Sequence, residues 1–138
     1  MTKARRPIAA LSALLVALSL ALPGARAMAY ESSENIVAGG HGYNNAQYLV
    51  VHETANPGAS AWNHVIYWGN NPDYAVHYVM ELDGSTVYRT MYDDRLAWHV
   101  GNGNYQTVGI ELAHSTNQVD FDRQWAGAAT TWRAGAGA

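Results

Sequence analysis

The segment that decides the fold reads YLVVHETANPG and spans residues 48–58. Its first half is rich in aromatic and β-branched residues, which is typical of a β-strand. Because both faces of this strand are apolar, we predict that it is central in its sheet. His52 ends the strand, where the following loop of a sheet protein often leaves a cleft. His52 is therefore either a cleft residue or a hydrogen-bonded core histidine.

The pair His52-Glu53 also invites comparison with the helical zinc motif H-E-x-x-H. In that motif the two histidines lie one helical turn apart and face one metal ion. Here Asn56 occupies the position of the second histidine, and the preceding residues indicate a strand. The helical zinc motif is absent.

The neighbouring segments alternate between helical and strand patterns. Residues 56–72 predict a helix that Asn56 caps and Pro57 begins. Residues 75–91 contain two alternating runs around Asp83-Gly84, which predicts a β-hairpin with a two-residue turn. Residues 107–114 (TVGIELAH) predict a second buried strand, and a final helix is expected to begin near residue 121. This order predicts an α/β fold with a mixed central β-sheet flanked by helices.

The predicted organisation has four parts. Residues 1–29 have a basic start, an apolar run and an A-x-A site, the pattern of a secretory signal peptide; an uncleaved anchor is the alternative. The apolar run is shorter than the roughly 20 residues that span a bilayer. Residues 30–45 are predicted to be a lead-in loop, 46–132 the folded domain and 133–138 a low-complexity tail. We therefore expect a secreted protein with no membrane attachment after cleavage.

Charge and cysteine content exclude several functions. Without residues 1–29 the chain has four basic and eleven acidic residues, a formal charge of −7. Nucleic acid is excluded as a partner because phosphate binding needs clustered Lys and Arg. The chain has no cysteine, so it has neither a thiol nucleophile nor disulfides.

Four further residues are candidates for chemistry or binding. Glu111 lies among apolar strand residues; burial would raise its pKa toward neutrality, although its face could also meet solvent. His77 shares a strand face with Val79 and could line a cleft or be exposed. Trp98 and His99 lie in a loop that could bind a glycopeptide, or Trp98 could be a structural anchor.

Taken together, these segments resemble a known enzyme family. The strings VVHETAN (50–56), AVHYVMELDG (75–84), AWHVGNGN (97–104) and TVGIELAH (107–114) occur in the order and spacing of zinc-dependent N-acetylmuramoyl-L-alanine amidases. These amidases are related to phage lysozyme-type amidases and peptidoglycan recognition proteins. The resemblance covers residues 48–132 and implies an amidase- or peptidoglycan-recognition-like fold.

The resemblance implies a role for each candidate. His52 would be a zinc ligand, Glu111 the catalytic acid/base, and His77, Trp98 and His99 substrate-binding residues. The reaction would be hydrolysis of the amide between N-acetylmuramic acid and L-alanine in bacterial peptidoglycan. Zn²⁺ would polarise the carbonyl and lower the pKa of its bound water.

The chain departs from the family in its zinc ligands. The family takes two more ligands, a histidine and an aspartate or cysteine, from a segment after the last helix. No histidine follows His114 here, and no acid follows Asp122. We therefore expect an amidase domain cut short at its C-terminus, with an incomplete zinc site. A non-catalytic peptidoglycan-binding domain and an inactive truncated amidase are the alternatives.

Overall fold

The computed structural model describes the backbone of residues 31–135 and the side chains of residues 31–131. The predicted signal peptide, residues 1–29, lies outside the described residues. In the part described, no helix is long and apolar enough to cross a membrane.

A five-stranded mixed sheet forms the centre of the fold, which confirms the predicted class. The order across the sheet is β1-β4-β3-β5-β2. β3 and β4 are antiparallel, whereas the β1–β4, β3–β5 and β5–β2 pairs are parallel. The strands are β1 (Glu31–Glu34), β2 (Tyr48–Glu53), β3 (Tyr78–Met80), β4 (Thr86–Arg89) and β5 (Thr107–Leu112).

The predicted hairpin is present between β3 and β4, but its turn is longer than two residues. The Glu81 N–H donates to the Thr86 carbonyl at 2.9 Å, so four residues form the loop. Within it, Gly84 has φ +71°, and a Cβ there would lie 3.0 Å from the backbone of Arg123. Glycine therefore allows both the turn and its close approach to the last helix.

Two helices cover the sheet: α1 (Ala61–Asn70) and α2 (Gln118–Gly135). The predicted start of α1 at Asn56 and Pro57 is wrong, because Ser60 is the N-cap and its hydroxyl accepts from the Asn63 N–H. The predicted tail is wrong for residues 133–135, which continue α2. Short 3-10 turns occupy Pro72–Tyr74 and Gly101–Gln106.

The core has two apolar clusters, one on each side of the sheet. On one side Val65 and Trp68 of α1 pack with Val79 of β3. On the other side Ala128 of α2 packs with buried residues of β3, β4 and β5, and Leu49 and Val51 contact this cluster.

Two strands differ from their predicted positions. β2 lies at the edge of the described sheet, so its predicted central place is wrong. The domain covers both faces of the sheet, so even a strand at the edge has apolar side chains on both faces. Apolar residues on both faces therefore do not require a paired strand on each side. The predicted lead-in loop is also wrong at its start, where Glu31–Glu34 pairs with β4. The polar sequence ESSE gives no strand signal.

Candidate functional site

The site is a row of side chains across one face of the sheet, at the end of β2 and β5. His52 and Glu111 are direct partners in the parallel β2–β5 register, and Val79 of β3 is the next partner of Glu111. Partners in register project to the same face of a sheet. This face is the one that α1 covers through Val79. Two residues far apart in sequence are therefore brought side by side.

Glu111 has the protonation chemistry that the sequence predicts for it. Its Oε2 atom is buried and has no hydrogen-bond partner among the described residues. Burial, and secondly the negative charge of Glu53, raises the pKa of Glu111 to about 7. Near neutral pH the carboxyl group can therefore either accept or release a proton.

Glu53 is held by the histidine that follows β5. The Glu53 Oε1 atom and the His114 Nδ1 atom are in contact, and both side chains are partly exposed. His114 lies two residues after β5 and contacts Glu53, the last residue of β2. The contact joins the ends of β2 and β5 below Glu111.

A chain of hydrogen bonds fixes the orientation of His52. The Thr107 hydroxyl donates to the Gly103 carbonyl, so its oxygen accepts from His99 Nε2 at 3.0 Å. A neutral His99 then has an acceptor at Nδ1, and His52 Nε2 donates to it at 3.0 Å. Burial lowers the pKa of His99 to about 4, which keeps this ring neutral. Burial also lowers the pKa of His52.

The series of hydrogen bonds from Thr107 through His99 to His52 requires a glycine on β5. A Cβ at Gly109 would lie 2.7 Å from His99 Nδ1 and 2.8 Å from its Cε1. The His99 ring therefore lies directly on the backbone of β5, where only glycine leaves room. Asn104 fixes the backbone of the loop that carries His99, because its Oδ1 accepts from the N–H groups of His99 and Val100.

His77 is placed beneath the site. Its side chain is fully buried, its Nδ1 accepts from the Gly109 N–H at 3.0 Å, and its Nε2 donates to the Arg95 carbonyl at 2.7 Å. Burial lowers its pKa. The substrate-binding role remains a prediction, and this geometry favours a structural role that ties the 91–100 loop to β5.

Trp98 is 60% exposed and stacks on His41, with ring centroids 3.5 Å apart and planes 4° apart. His41, in the predicted lead-in loop of residues 30–45, is thus half-buried and packed. Its Nε2 also lies 3.8 Å from the Asp73 carboxylate. The stack connects the segment before β2 to the loop that carries His99.

The described residues do not make a complete metal site. Among residues 31–131, no group of three or more His, Asp or Glu side chains could hold a metal ion. Both ring nitrogens of His77 and of His99 are in hydrogen bonds. His52 differs, because its Nε2 is the donor and its Nδ1 keeps a lone pair. The described site therefore offers one imidazole ligand, whereas catalytic zinc usually has three protein ligands.

Comparison with known proteins identifies the family. A family model described as N-acetylmuramoyl-L-alanine amidase matches residues 42–136, more than half of the chain. The chain belongs to the N-acetylmuramoyl-L-alanine amidase family. The family predicted from the sequence motifs is thereby confirmed.

Individual relatives and solved structures resemble this chain. The N-acetylmuramoyl-L-alanine amidase CwlA of Bacillus subtilis is 33% identical over 75 residues, which are 51% of this chain and 27% of CwlA. The chain thus spans about a quarter of that relative. The solved catalytic domain of XlyA is 27% identical, with a TM-score of 0.63 over 75% of this chain and 74% of XlyA. Staphylococcus aureus AmiA shares the fold at 22% identity, with a TM-score of 0.61 over 98% of this chain and 67% of AmiA.

Sequence reasoning missed three residues of this amidase-family site. Gly109 looked like an ordinary strand residue, because its contact with His99 depends on the fold of the loop. Thr107 began a predicted strand with no sign that its hydroxyl accepts from a histidine. His41 lay in a glycine-rich segment without periodicity. None of the three carries a local sequence signal for its contact.

Proposed function

We propose that this domain hydrolyses the amide between N-acetylmuramic acid and L-alanine in bacterial peptidoglycan. The observation that carries the proposal is the half-buried Glu111 carboxyl, whose buried Oε2 has no hydrogen-bond partner among the described residues, in direct register with His52 on the neighbouring strand. Metal-assisted hydrolysis needs an acid/base beside a ligand-bearing side chain. Family membership supplies the substrate class.

Glu111 is the proposed acid/base. As a carboxylate it would accept a proton from the attacking water, and as a carboxylic acid it would pass that proton to the leaving amine of L-alanine. Its pKa of about 7 suits both steps near neutral pH. The hydrogen-bonded His99 would hold the His52 ring in place during these steps.

Zinc is the proposed cofactor of the family reaction, and His52 is the described residue that would hold it, through Nδ1. When bound, zinc would supply Lewis acidity at the scissile carbonyl. The described residues do not fit a complete zinc site. Residues 1–30 and 132–138 contain no His, Cys, Asp or Glu, so they add no further ligand of these types.

The incomplete metal site among the described residues favours a second candidate, a peptidoglycan-binding domain without catalysis. Such a domain would keep the face around His52 and Trp98 and would bind wall material without metal. For either function we propose export by residues 1–29 and action at the cell wall. Trp98, at 60% exposure, is the proposed substrate contact of the loop.

Clearing of a peptidoglycan suspension separates the two functions. The purified chain would be assayed by turbidity with added Zn²⁺ and with EDTA, beside sedimentation with insoluble peptidoglycan. Clearing that zinc supports and EDTA abolishes is the expected result for the amidase. Co-sedimentation without clearing under any metal condition would replace the amidase with the binding domain.

A further inference from the structure

The outer edge of β2 has no partner strand in the described part of the chain. β2 pairs with β5 along its inner side, and no other strand of residues 31–135 pairs with it. The Thr54 N–H donates to the Leu112 carbonyl at 3.0 Å, so the backbone groups of Thr54 face β5. Because the direction of the backbone groups alternates along a strand, those of Glu53 and Val51 face away from β5. Backbone donors and acceptors therefore line a free strand edge.

The side chains along this edge are apolar and only partly buried. Leu49, Val50 and Val51 are each partly exposed, whereas five of the six residues of the neighbouring strand β5 are buried. Leu49 and Val51 contact the apolar cluster on the α2 side of the sheet, so their exposed parts lie at the border of the core. Exposure of such side chains is unfavourable, and a further strand at this edge would cover them.

β2 also lacks the features that usually keep a free edge unpaired. Protected edges are often short, charged, interrupted by proline or bulged. Residues 48–52 contain no proline, lysine, arginine or acid, and β2 pairs with β5 in one unbroken register over six residues. The opposite edge strand, β1, has four residues, of which Glu31 and Glu34 are acids. The described sheet therefore has one protected edge and one edge that is open to pairing.

The position of Glu53 favours an antiparallel second copy of this chain as the occupant of the open edge. Glu53 is the single acid of β2. Parallel pairing of two copies in register would place two Glu53 side chains side by side, and such like-charged pairs are destabilising. Antiparallel pairing centred on Val51 places each Glu53 opposite Leu49 of the other copy and separates the two glutamates by roughly 13 Å along the strands. It also follows a two-fold axis, which is the commonest symmetry of protein dimers.

We propose that two copies of this chain associate by antiparallel pairing of their β2 strands, with Val51 opposite Val51. The outward N–H and C=O groups of the two Val51 residues bond each other across the two-fold axis, and the two sheets become one. His52 lies opposite Val50 of the other copy. The two His52 side chains are diagonal neighbours on one face, roughly 7–8 Å apart, so each copy brings an imidazole to the edge of the other's His52–Glu111 row. This assembly does not depend on the proposed catalytic function.

Cysteine cross-linking of the full chain tests the register, because the natural chain has no cysteine. In the proposed dimer the two Val51 Cα atoms face each other at about 5.5 Å, within the range of about 4.4–6.8 Å that a disulfide spans. Val51→Cys should therefore form a disulfide-linked dimer under mild oxidation. Non-reducing electrophoresis and mass spectrometry of the linked peptide measure it.

Two further cysteine variants are the matched controls. Val50→Cys lies one residue away on the same strand, but its two copies are diagonal neighbours at roughly 7–8 Å and face away from a common bond. Ser32→Cys lies on β1, the opposite edge. Both should remain free thiols, and association through residues 1–29 would not favour position 51 over these two. No link at Val51→Cys, or equal linking at all three positions, would overturn the proposal.

Proline substitution tests the backbone bonds of the same edge by sedimentation velocity. Val51→Pro removes an N–H that faces away from β5, where an edge strand tolerates proline. Two hydrogen bonds per dimer are lost, so association should weaken about 5- to 150-fold. Ser32→Pro is the matched control: the Glu31 N–H donates to the Ser85 carbonyl, so by alternation the Ser32 N–H faces away from β4, and this variant should associate as wild type does.

Circular dichroism and urea denaturation establish that both proline variants fold, and the cysteine variants decide the question if Val51→Pro does not. A monomeric wild type, or a folded Val51→Pro that associates as tightly as wild type, would overturn the dimer. The soluble stem peptide L-alanyl-γ-D-glutamyl-L-lysyl-D-alanine is titrated into the ¹⁵N-labelled chain in parallel. A monomer whose Val51 and Glu53 amide signals shift with this peptide would assign the edge to an extended peptide and would also reject the dimer.

Discussion

Replacement of Gly109 by alanine is the most direct perturbation of the hydrogen-bonded histidines. The new Cβ would lie 2.7 Å from His99 Nδ1, whereas carbon and nitrogen atoms in contact are normally about 3.5 Å apart. The ring must therefore move away by roughly 0.8 Å. Such a shift would break the 3.0 Å bonds from His99 to His52 and to Thr107.

The expected loss in the free energy of unfolding follows from the two broken hydrogen bonds and from overpacking by the new methyl group. Each hydrogen bond contributes about 0.5–1.5 kcal/mol and overpacking costs about 1–3 kcal/mol, so we expect a loss of about 2–6 kcal/mol in the free energy of unfolding. Urea denaturation at pH 7 measures it, and ring ¹⁵N signals report the tautomers of His52 and His99. Gly39→Ala is the matched control, since a Cβ there meets no atom within 4 Å and should leave stability unchanged or slightly higher. Equal stability of both variants, with unchanged histidine signals, would refute the placement of His99.

Three further changes test other parts of the structure. In metal-free buffer, wild type should lose about 2–3 kcal/mol of stability relative to Glu111→Gln between pH 5 and pH 8, because the folded state binds the Glu111 proton more tightly than the unfolded chain does. Denaturation curves of both proteins across that range would show no such divergence if Glu111 titrates near its ordinary pKa. Thr107→Val removes the acceptor of His99 Nε2 and should cost about 1–3 kcal/mol by urea denaturation; an unchanged midpoint would contradict the bond. Ser60→Ala removes the cap of α1 and should cost about 1 kcal/mol, whereas wild-type thermal stability would show that the cap contributes little.

Local patterns allowed prediction of most of the fold. The alternating runs of the hairpin and the apolar strand TVGIEL are visible in the sequence, and both are present. Strand β1 could not be predicted, because its residues are polar and its pairing with β4 rests on backbone groups and one exposed ion pair between Arg89 and Glu34. The start of α1 was misplaced because Asn56 and Ser60 are both good caps, and the sequence alone does not show which of them accepts from the first turn.

Part of the site could also be predicted from local sequence patterns. Glu111 could be singled out because a carboxyl group in an apolar strand conflicts with its surroundings. Its position across from His52 depends on the β2–β5 register, which no local pattern specifies. The contact of His52 with His99 joins residues 47 positions apart, so it follows only from the fold of the intervening loop.

End-group analysis of digested peptidoglycan tests most directly whether Glu111 serves amide hydrolysis. Purified peptidoglycan is incubated with wild type and with Glu111→Gln in the presence of Zn²⁺, and new N-terminal alanine and new reducing sugar ends are quantified. Wild type should release N-terminal alanine without reducing ends, and Glu111→Gln should lower that release by about 100-fold or more. Equal release by the two proteins would contradict the role of Glu111, and no release of alanine by wild type would contradict the amidase itself.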